Sequence, residues 1–137
     1  MKNLIIDATI DNLEKVIDFI NSVLETADCP VKIRTRIDVA VEELFVNIAH
    51  YAYGEETGKA EIIIDLKGDP VAAEITFIDS GIPYDPLAKE DPDVTLSFEK
   101  RKIGGLGIFM VKKSMDDMHY EYKNNKNHLT ITKKLQL

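Results

Sequence analysis

Residues 60–79 constrain this chain more than any other stretch. Two apolar, β-branched runs, AEIIIDLKG (60–68) and VAAEITFID (71–79), are separated only by Gly68-Asp69-Pro70. Two strands joined so tightly predict a hairpin, and hence an antiparallel pairing at the centre of the fold. Upstream the period changes. Ile10, Leu13, Val16, Ile17, Ile20 and Leu24 recur at three and four, and so do Ile33, Ile37, Ala40, Val41, Leu44 and Ile48. Each set predicts one apolar helical face. Thr9 or Asp11 is the expected cap of the first helix. Asp28-Cys29-Pro30 divides it from the second, which is expected to run from about residue 31 to Tyr53 and stop at Gly54.

The remainder completes the pattern. NLIIDA (3–8) reads as a short strand, GGLGIFMVKKSMDDM (104–118) as glycines opening a helix, and HYEYKNNKNHLTITKKL (119–135) as a hairpin around a Lys-Asn turn. Residues 80–103 hold three of the five prolines and little periodicity, so about 82–103 is expected to form a lid. The order β-α-α-β-β-lid-α-β-β predicts an α+β, two-layer sandwich in one domain over 1–137: a mixed, mostly antiparallel sheet with helices on one face.

Composition narrows the function. Seventeen Lys and Arg against 24 Asp and Glu leave a net charge of -7. Such a chain lacks the basic patch that phosphate-backbone contacts need, so no nucleic-acid partner is expected. The single cysteine, Cys29, excludes an internal disulfide or a cysteine-built metal site. No apolar run approaches the about 18 residues of a membrane span, and the N-terminus lacks the apolar core of a signal peptide. A cytoplasmic protein with no membrane partner is expected.

Three constellations carry chemistry. Glu43, Asn47 and His50 lie in one narrow stripe at about 100° per residue, bordering the apolar face of the second helix. Glu42 points the other way, to solvent. An Asn carbonyl suits a hard cation, and a Glu one turn away can deprotonate a hydroxyl. The same stripe also fits the solvent border of an amphipathic helix. Asp79-Ser80-Gly81 ends a hydrophobic strand with an acceptor-only carboxylate, able to select an exocyclic amine such as that of adenine, while Gly81 permits close approach. It also fits a tight turn, for which Asp-Ser-Gly is a common solution. Gly104-Gly105-Leu106-Gly107 opens a helix, where free N–H groups and the positive dipole end suit phosphate. It also fits a plain glycine turn. A dinucleotide fingerprint is excluded, since a polar segment rather than a strand precedes these glycines. In that order, the three together describe a nucleotide cleft.

On these motifs the chain resembles the GHKL ATP-binding superfamily, which includes gyrase, histidine kinases and MutL. Glu43 to Asn47 match its Glu-x-x-x-Asn box, Asp79 and Gly81 its Asp-x-Gly, and Gly105-Leu106-Gly107 its Gly-x-Gly helix start. The match is most similar to the bacterial anti-sigma-factor serine/threonine kinases, whose first box also reads Asn-x-x-x-His, as in NIAHY (47–51). The resemblance implies the Bergerat fold with ATP and Mg²⁺ as cofactors. It implies Glu43 as catalytic base, Asn47 as Mg²⁺ ligand and His50 near the phosphates. Asp79 would read the adenine amine beside Gly81. Gly104, Gly105, Leu106 and Gly107 would cradle phosphate, with Arg101 and Lys102 offsetting its charge. It further implies a homodimer that phosphorylates an anti-anti-sigma-type antagonist and sequesters a sigma factor or similar target. The alternative is an ATP-dependent binding module without useful phosphoryl transfer. One position departs from the family: where Gly-Thr commonly enters the last strand, this chain has Asn127-His128, with Thr130 and Thr132 the nearest threonines.

Overall fold

The structure, a computed structural model, describes residues 1–88 and 105–137. Strand β1 (Lys2–Asp7) leads through a 3₁₀ turn (Ile10–Asn12) into helix α1 (Leu13–Glu25), followed by helix α2 (Val31–Asn47). Strands β2 (Lys59–Lys67) and β3 (Ala72–Asp79) form the expected hairpin. Helix α3 (Gly105–Ser114) and the hairpin of β4 (Asp117–Lys123) and β5 (Lys126–Lys134) complete the fold. Asn124 and Asn125 turn that hairpin at φ 54° and 60°, the left-handed pair that a two-residue turn requires and that Asn tolerates.

The five strands lie in the order β1-β2-β3-β5-β4, and every neighbouring pair is antiparallel. This corrects the expectation of a mixed sheet. Two helices between β1 and β2 carry the chain away and back, so β2 returns against β1. One helix follows β3, so β4 runs in the direction of β3. β5 inserts between these two, and no parallel neighbours remain.

Helices cover one face. Val16, Ile20 and Leu24 of α1 and Ile37, Val41, Leu44 and Phe45 of α2 meet Ile62, Ile64, Ile75, Phe77 and Ile131 of the sheet, all nearly inaccessible to solvent. Each such side chain contributes about 1.5–3 kcal/mol. The period-two alternation turns Asn3, Ile5, Thr76 and Thr130 to the other face, where the Thr76 and Thr130 hydroxyls share a hydrogen bond of 2.9 Å.

Two local expectations change. Asn12 stands at the N-cap of α1 without a side-chain cap bond, its amide donating instead to the Asp7 carbonyl at 2.9 Å, and Thr9 stands at the N-cap of the 3₁₀ turn ahead of it, likewise without a side-chain bond. The second helix does not run regularly to Tyr53. It is α-helical to Asn47 and continues as a wide π turn over Ile48–Ala52. Gly54, at φ 63°, then ends it as expected. Of the lid expected over about 82–103, only the part to Ala88 is described, with a 3₁₀ turn at Pro86–Ala88. Arg101, Lys102 and Gly104 lie outside the described residues.

Between α1 and α2, Asn21 donates a long 3.5 Å hydrogen bond to Asp38, and one carbonyl oxygen of each is buried without a partner. Burial pushes the Asp38 carboxyl above its ordinary 3.8, against the pull of Asn21 and Arg34. A raised carboxyl holds its proton more tightly in the folded state. Its stabilising contribution is therefore full below the ordinary value and lost as pH rises through the folded one. Asp38→Asn keeps a donor at neutral pH and can satisfy the Asn21 oxygen. It is expected to add about 0.5–1 kcal/mol at neutral pH and almost nothing in acid, read as a pH-dependent gain in unfolding temperature.

Candidate functional site

A cavity of about 100 Å³ opens between α2, the wide turn and the ends of β3 and β5. Leu44, Ile48, Phe77 and Leu129 make it apolar, Tyr51, Tyr84 and Tyr120 stand around it, and Asn47, Asp79 and Asn127 supply the polar groups. An apolar cleft with a few convergent polar groups is the usual form of a small-molecule site.

Asp79 ends β3 on the inner face of the sheet and is 7% exposed. Its Oδ1 accepts from the Gly81 N–H at 2.9 Å and from Asn127 Nδ2 at 3.0 Å. These bonds let a carboxylate sit among apolar neighbours. Gly81 presses against the wide turn. A Cβ there would stand 2.1 Å from the Ala52 carbonyl oxygen, which also accepts from the Ile82 N–H at 3.0 Å. Only glycine lets the chain pass so close.

The polar stripe lies at one edge of this cavity. Leu44, Asn47, Ile48 and Tyr51 face the cavity, and Glu43 and His50 lie on the flank beyond Asn47. Glu43 is half-buried and Glu42 exposed, as the sequence implies. Gly107, in the first turn of α3, packs on Glu43: a Cβ there would stand 1.8 Å from Oε1 and 2.2 Å from the carboxyl carbon. Glu43 is thus brought against the first turn of α3, with Asn47 one turn along α2. Gly105 begins that helix with Leu106 next. His50 is exposed, its ring edge-on to Tyr51 at 5.9 Å, and does not line the cavity.

The structure adds residues that the motifs did not point to. Tyr53 wedges between Gly58 and the Asp79-Ser80-Gly81 turn: its hydroxyl accepts from the Ser80 N–H at 2.8 Å and donates to the Lys59 carbonyl. Burial pushes its phenol up, with the Ser80 N–H opposing and the Asp79 charge adding, so it remains a neutral donor at physiological pH. Tyr53→Phe strands both partners. It is expected to cost about 1–2 kcal/mol and to weaken nucleotide binding, checked by thermal unfolding with and without Mg²⁺-ATP. Asn127, 6% exposed, is the second addition. Its signal was readable, since a polar residue shares the inward parity of Leu129 and Ile131.

The histidine kinase-like ATPase domain model matches residues 6–133, nearly all of the chain. This protein belongs to that family. Among relatives of the histidine kinase-like ATPase domain here, a serine/threonine-protein kinase, BtrW, of Bordetella bronchiseptica is 25% identical over 74% of this chain and 70% of its own length. A serine-protein kinase, RsbW, of Bacillus cereus is 31% identical over 58% of this chain. The match spans about half of that relative, 51%. The solved structure of the RsbU and RsbW domains of a Mycobacterium tuberculosis protein superposes with a TM-score of 0.67 at 17% identity, over 98% of this chain and 32% of that one. That likeness carries the fold. Membership of the ATPase family implies ATP as the nucleotide. The residues fit it: the cavity beside Asp79 is apolar enough for a base, and Gly107 of α3 packs on Glu43 of α2, where a side chain would fill the space. Among the described residues, no helix is long and apolar enough to cross a membrane.

Proposed function

We propose that this protein is an ATP-dependent serine/threonine protein kinase of a partner-switching system. It transfers the γ-phosphoryl group of ATP to a Ser or Thr of a small anti-anti-sigma-type antagonist. Freed from the phosphorylated antagonist, it sequesters a sigma factor or similar target. In this reading it is a cytoplasmic homodimer, and 1–137 act as one nucleotide-binding unit. The names of the kinase relatives support the class. The observation that carries the chemistry is the packing of Gly107 on Glu43, which sets a carboxylate at the start of α3 beside Asn47.

Each residue then has a task. Asp79 accepts from the adenine amine, and Gly81 lets the base lie close to the backbone. The N–H groups from Gly105 through Leu106 to Gly107 face the phosphates, with Gly104 ahead of them. His50, in the wide turn that continues α2, donates to phosphate oxygen, and Arg101 offsets phosphate charge. Asn47 would hold Mg²⁺ through its side-chain carbonyl oxygen, and the ion would supply positive charge against the phosphates. Glu43 takes the proton from the antagonist hydroxyl as that oxygen bonds to γ-phosphorus. The bond from γ-phosphorus to the bridging oxygen breaks and ADP departs. The phosphate left on the antagonist adds about -1.5 to -2 of charge at the interface, which weakens the complex with a chain that is itself acidic.

The test is incubation with Mg²⁺-ATP and the cognate antagonist, followed by mass spectrometry. A phosphoserine or phosphothreonine on the antagonist is expected. Tight ATP binding without any transferred phosphate would leave the binding-module alternative in its place.

A further inference from the structure

We infer that Asn127 is the positioning residue that makes the site select adenine. It holds the Asp79 carboxylate and the start of the segment after it in one arrangement. The inference rests on the reading of Asp79 as the group that meets the base.

Asn127 is buried, and all four of its amide hydrogen-bonding positions are used. One N–H goes to Asp79 Oδ1 at 3.0 Å and the other to the Ile82 carbonyl at 2.9 Å. Its Oδ1 accepts from the Tyr84 N–H at 3.1 Å and from the Tyr120 hydroxyl. The partners permit no flip. Reversed, the amide would set its NH₂ against the Tyr84 N–H, and its oxygen against two acceptors. Tyr120 keeps its proton for this contact. Burial pushes its phenol up, the Tyr84 backbone bond pulls down, and the charges of Asp85 and Asp79 push up again.

This arrangement does three things at once. It ties the first residue pairs of β5 to the last of β3, since Asp79 and Asn127 are register partners across the two strands. It occupies Asp79 Oδ1 with two donors, so the carboxylate cannot rotate freely and its other oxygen remains to accept from a base. It also fixes the backbone at Ile82 and Tyr84, two residues that line the cavity. A purine with an amine at position six donates to a fixed acceptor. One with a carbonyl there meets oxygen against oxygen, which a rigid site cannot relieve. A free carboxylate could turn away, and discrimination would fall. Selectivity is thus attributed to a residue that need not touch the nucleotide.

The experiment compares ATP with ITP, which differs at that one group. Both compete against a fluorescent ATP analogue on the full chain, for the parent, Asn127→Asp and Asn127→Thr. Asn127→Asp keeps the shape but sets oxygen against Asp79. Asn127→Thr retains one donor and keeps the test open should the aspartate variant not fold, with unfolding temperature followed for each. In the variants ATP is expected to weaken about tenfold, the loss of roughly one charge-assisted hydrogen bond. ITP is expected to change little, so the ATP-to-ITP preference collapses, more in Asn127→Asp than in Asn127→Thr. Equal weakening of both nucleotides, or an unchanged preference in a folded variant, would overturn the role of Asn127 while leaving the ATP site intact. A parent that binds neither nucleotide would overturn the nucleotide reading itself.

Discussion

Glu43→Gln is expected to abolish most phosphoryl transfer, by about 10²–10⁴-fold, with ATP affinity nearly unchanged. The substitution preserves size and hydrogen-bonding reach but removes the ability to take a proton. In the structure Glu43 stands on the flank of α2, against Gly107 and away from the apolar cavity that would hold the base. Its loss should therefore act on the chemical step and not on binding, a fall in kcat at constant ATP Kd. Mass spectrometry of the antagonist gives the first quantity and calorimetry the second. In a partner-switching system the variant would hold its antagonist indefinitely. Regulation that survives Glu43→Gln unchanged would sink the kinase reading and favour ATP as a purely conformational ligand. Gly107→Ala supplies a graded companion. The atom its Cβ would meet is the far end of a flexible side chain, so α3 can stay folded while the carboxylate is pushed out of place.

Gly81→Ala is expected to have the largest effect on the fold around the base site. The added Cβ would lie 2.1 Å from the Ala52 oxygen and 2.6 Å from its carbonyl carbon. Both are backbone atoms of the wide turn after α2, and the Ile82 N–H bonds the same oxygen. Neither side can yield as a side chain can, so the turn at Asp79-Ser80-Gly81 must move bodily. Overpacking of this kind costs about 1–3 kcal/mol, or roughly 3–5 °C of unfolding temperature per kcal/mol for a chain of this size. The displaced turn carries Asp79 with it, and ATP binding should fail. For the parent, ATP at 100 times its Kd adds about 2.7 kcal/mol, and that shift should vanish in Gly81→Ala. A variant that keeps the parent's ATP-induced shift would show that the close approach of these two turns does not shape the site.

Much of the fold was legible because its signals are local. The switch from three-and-four spacing to alternation marked α1, α2 and the strands, since each period reports which side chains share one face of its own segment. Gly68-Asp69-Pro70 and Asn124-Asn125 announced the two hairpins through turn chemistry alone. The wide turn over Ile48–Ala52 was not legible. Its apolar spacing is the same as that of a continuing α-helix, and the added residue per turn leaves no composition of its own. The N-cap of α1 fell at Asn12 rather than at Thr9 or Asp11, with Thr9 instead opening the 3₁₀ turn before it, for a related reason. Any of several polar residues can close a helix, and the first turn is settled by how the chain leaves β1.

The candidate site divides the same way. Glu43 and Asn47 share a stripe by helical geometry, and the difference between Glu42 and Glu43 follows from one residue's rotation. Asp79 stood out as a charge at the end of an apolar strand. Asn127 looked only like a departure from a family pattern. It became part of the site when β5 inserted beside β3 and brought it to Asp79 across 48 residues of chain. Tyr53 reached Ser80 across 27 residues because the turn after α2 packs on the end of β3. The sequence by itself determined the elements, their apolar faces and the chemistry on α2 and at the end of β3, because those depend on neighbours a few residues away. Only the tertiary structure decided the strand order, and with it which polar groups satisfy one another. A buried carboxylate must find donors wherever the sheet places them. Here it placed Asn127.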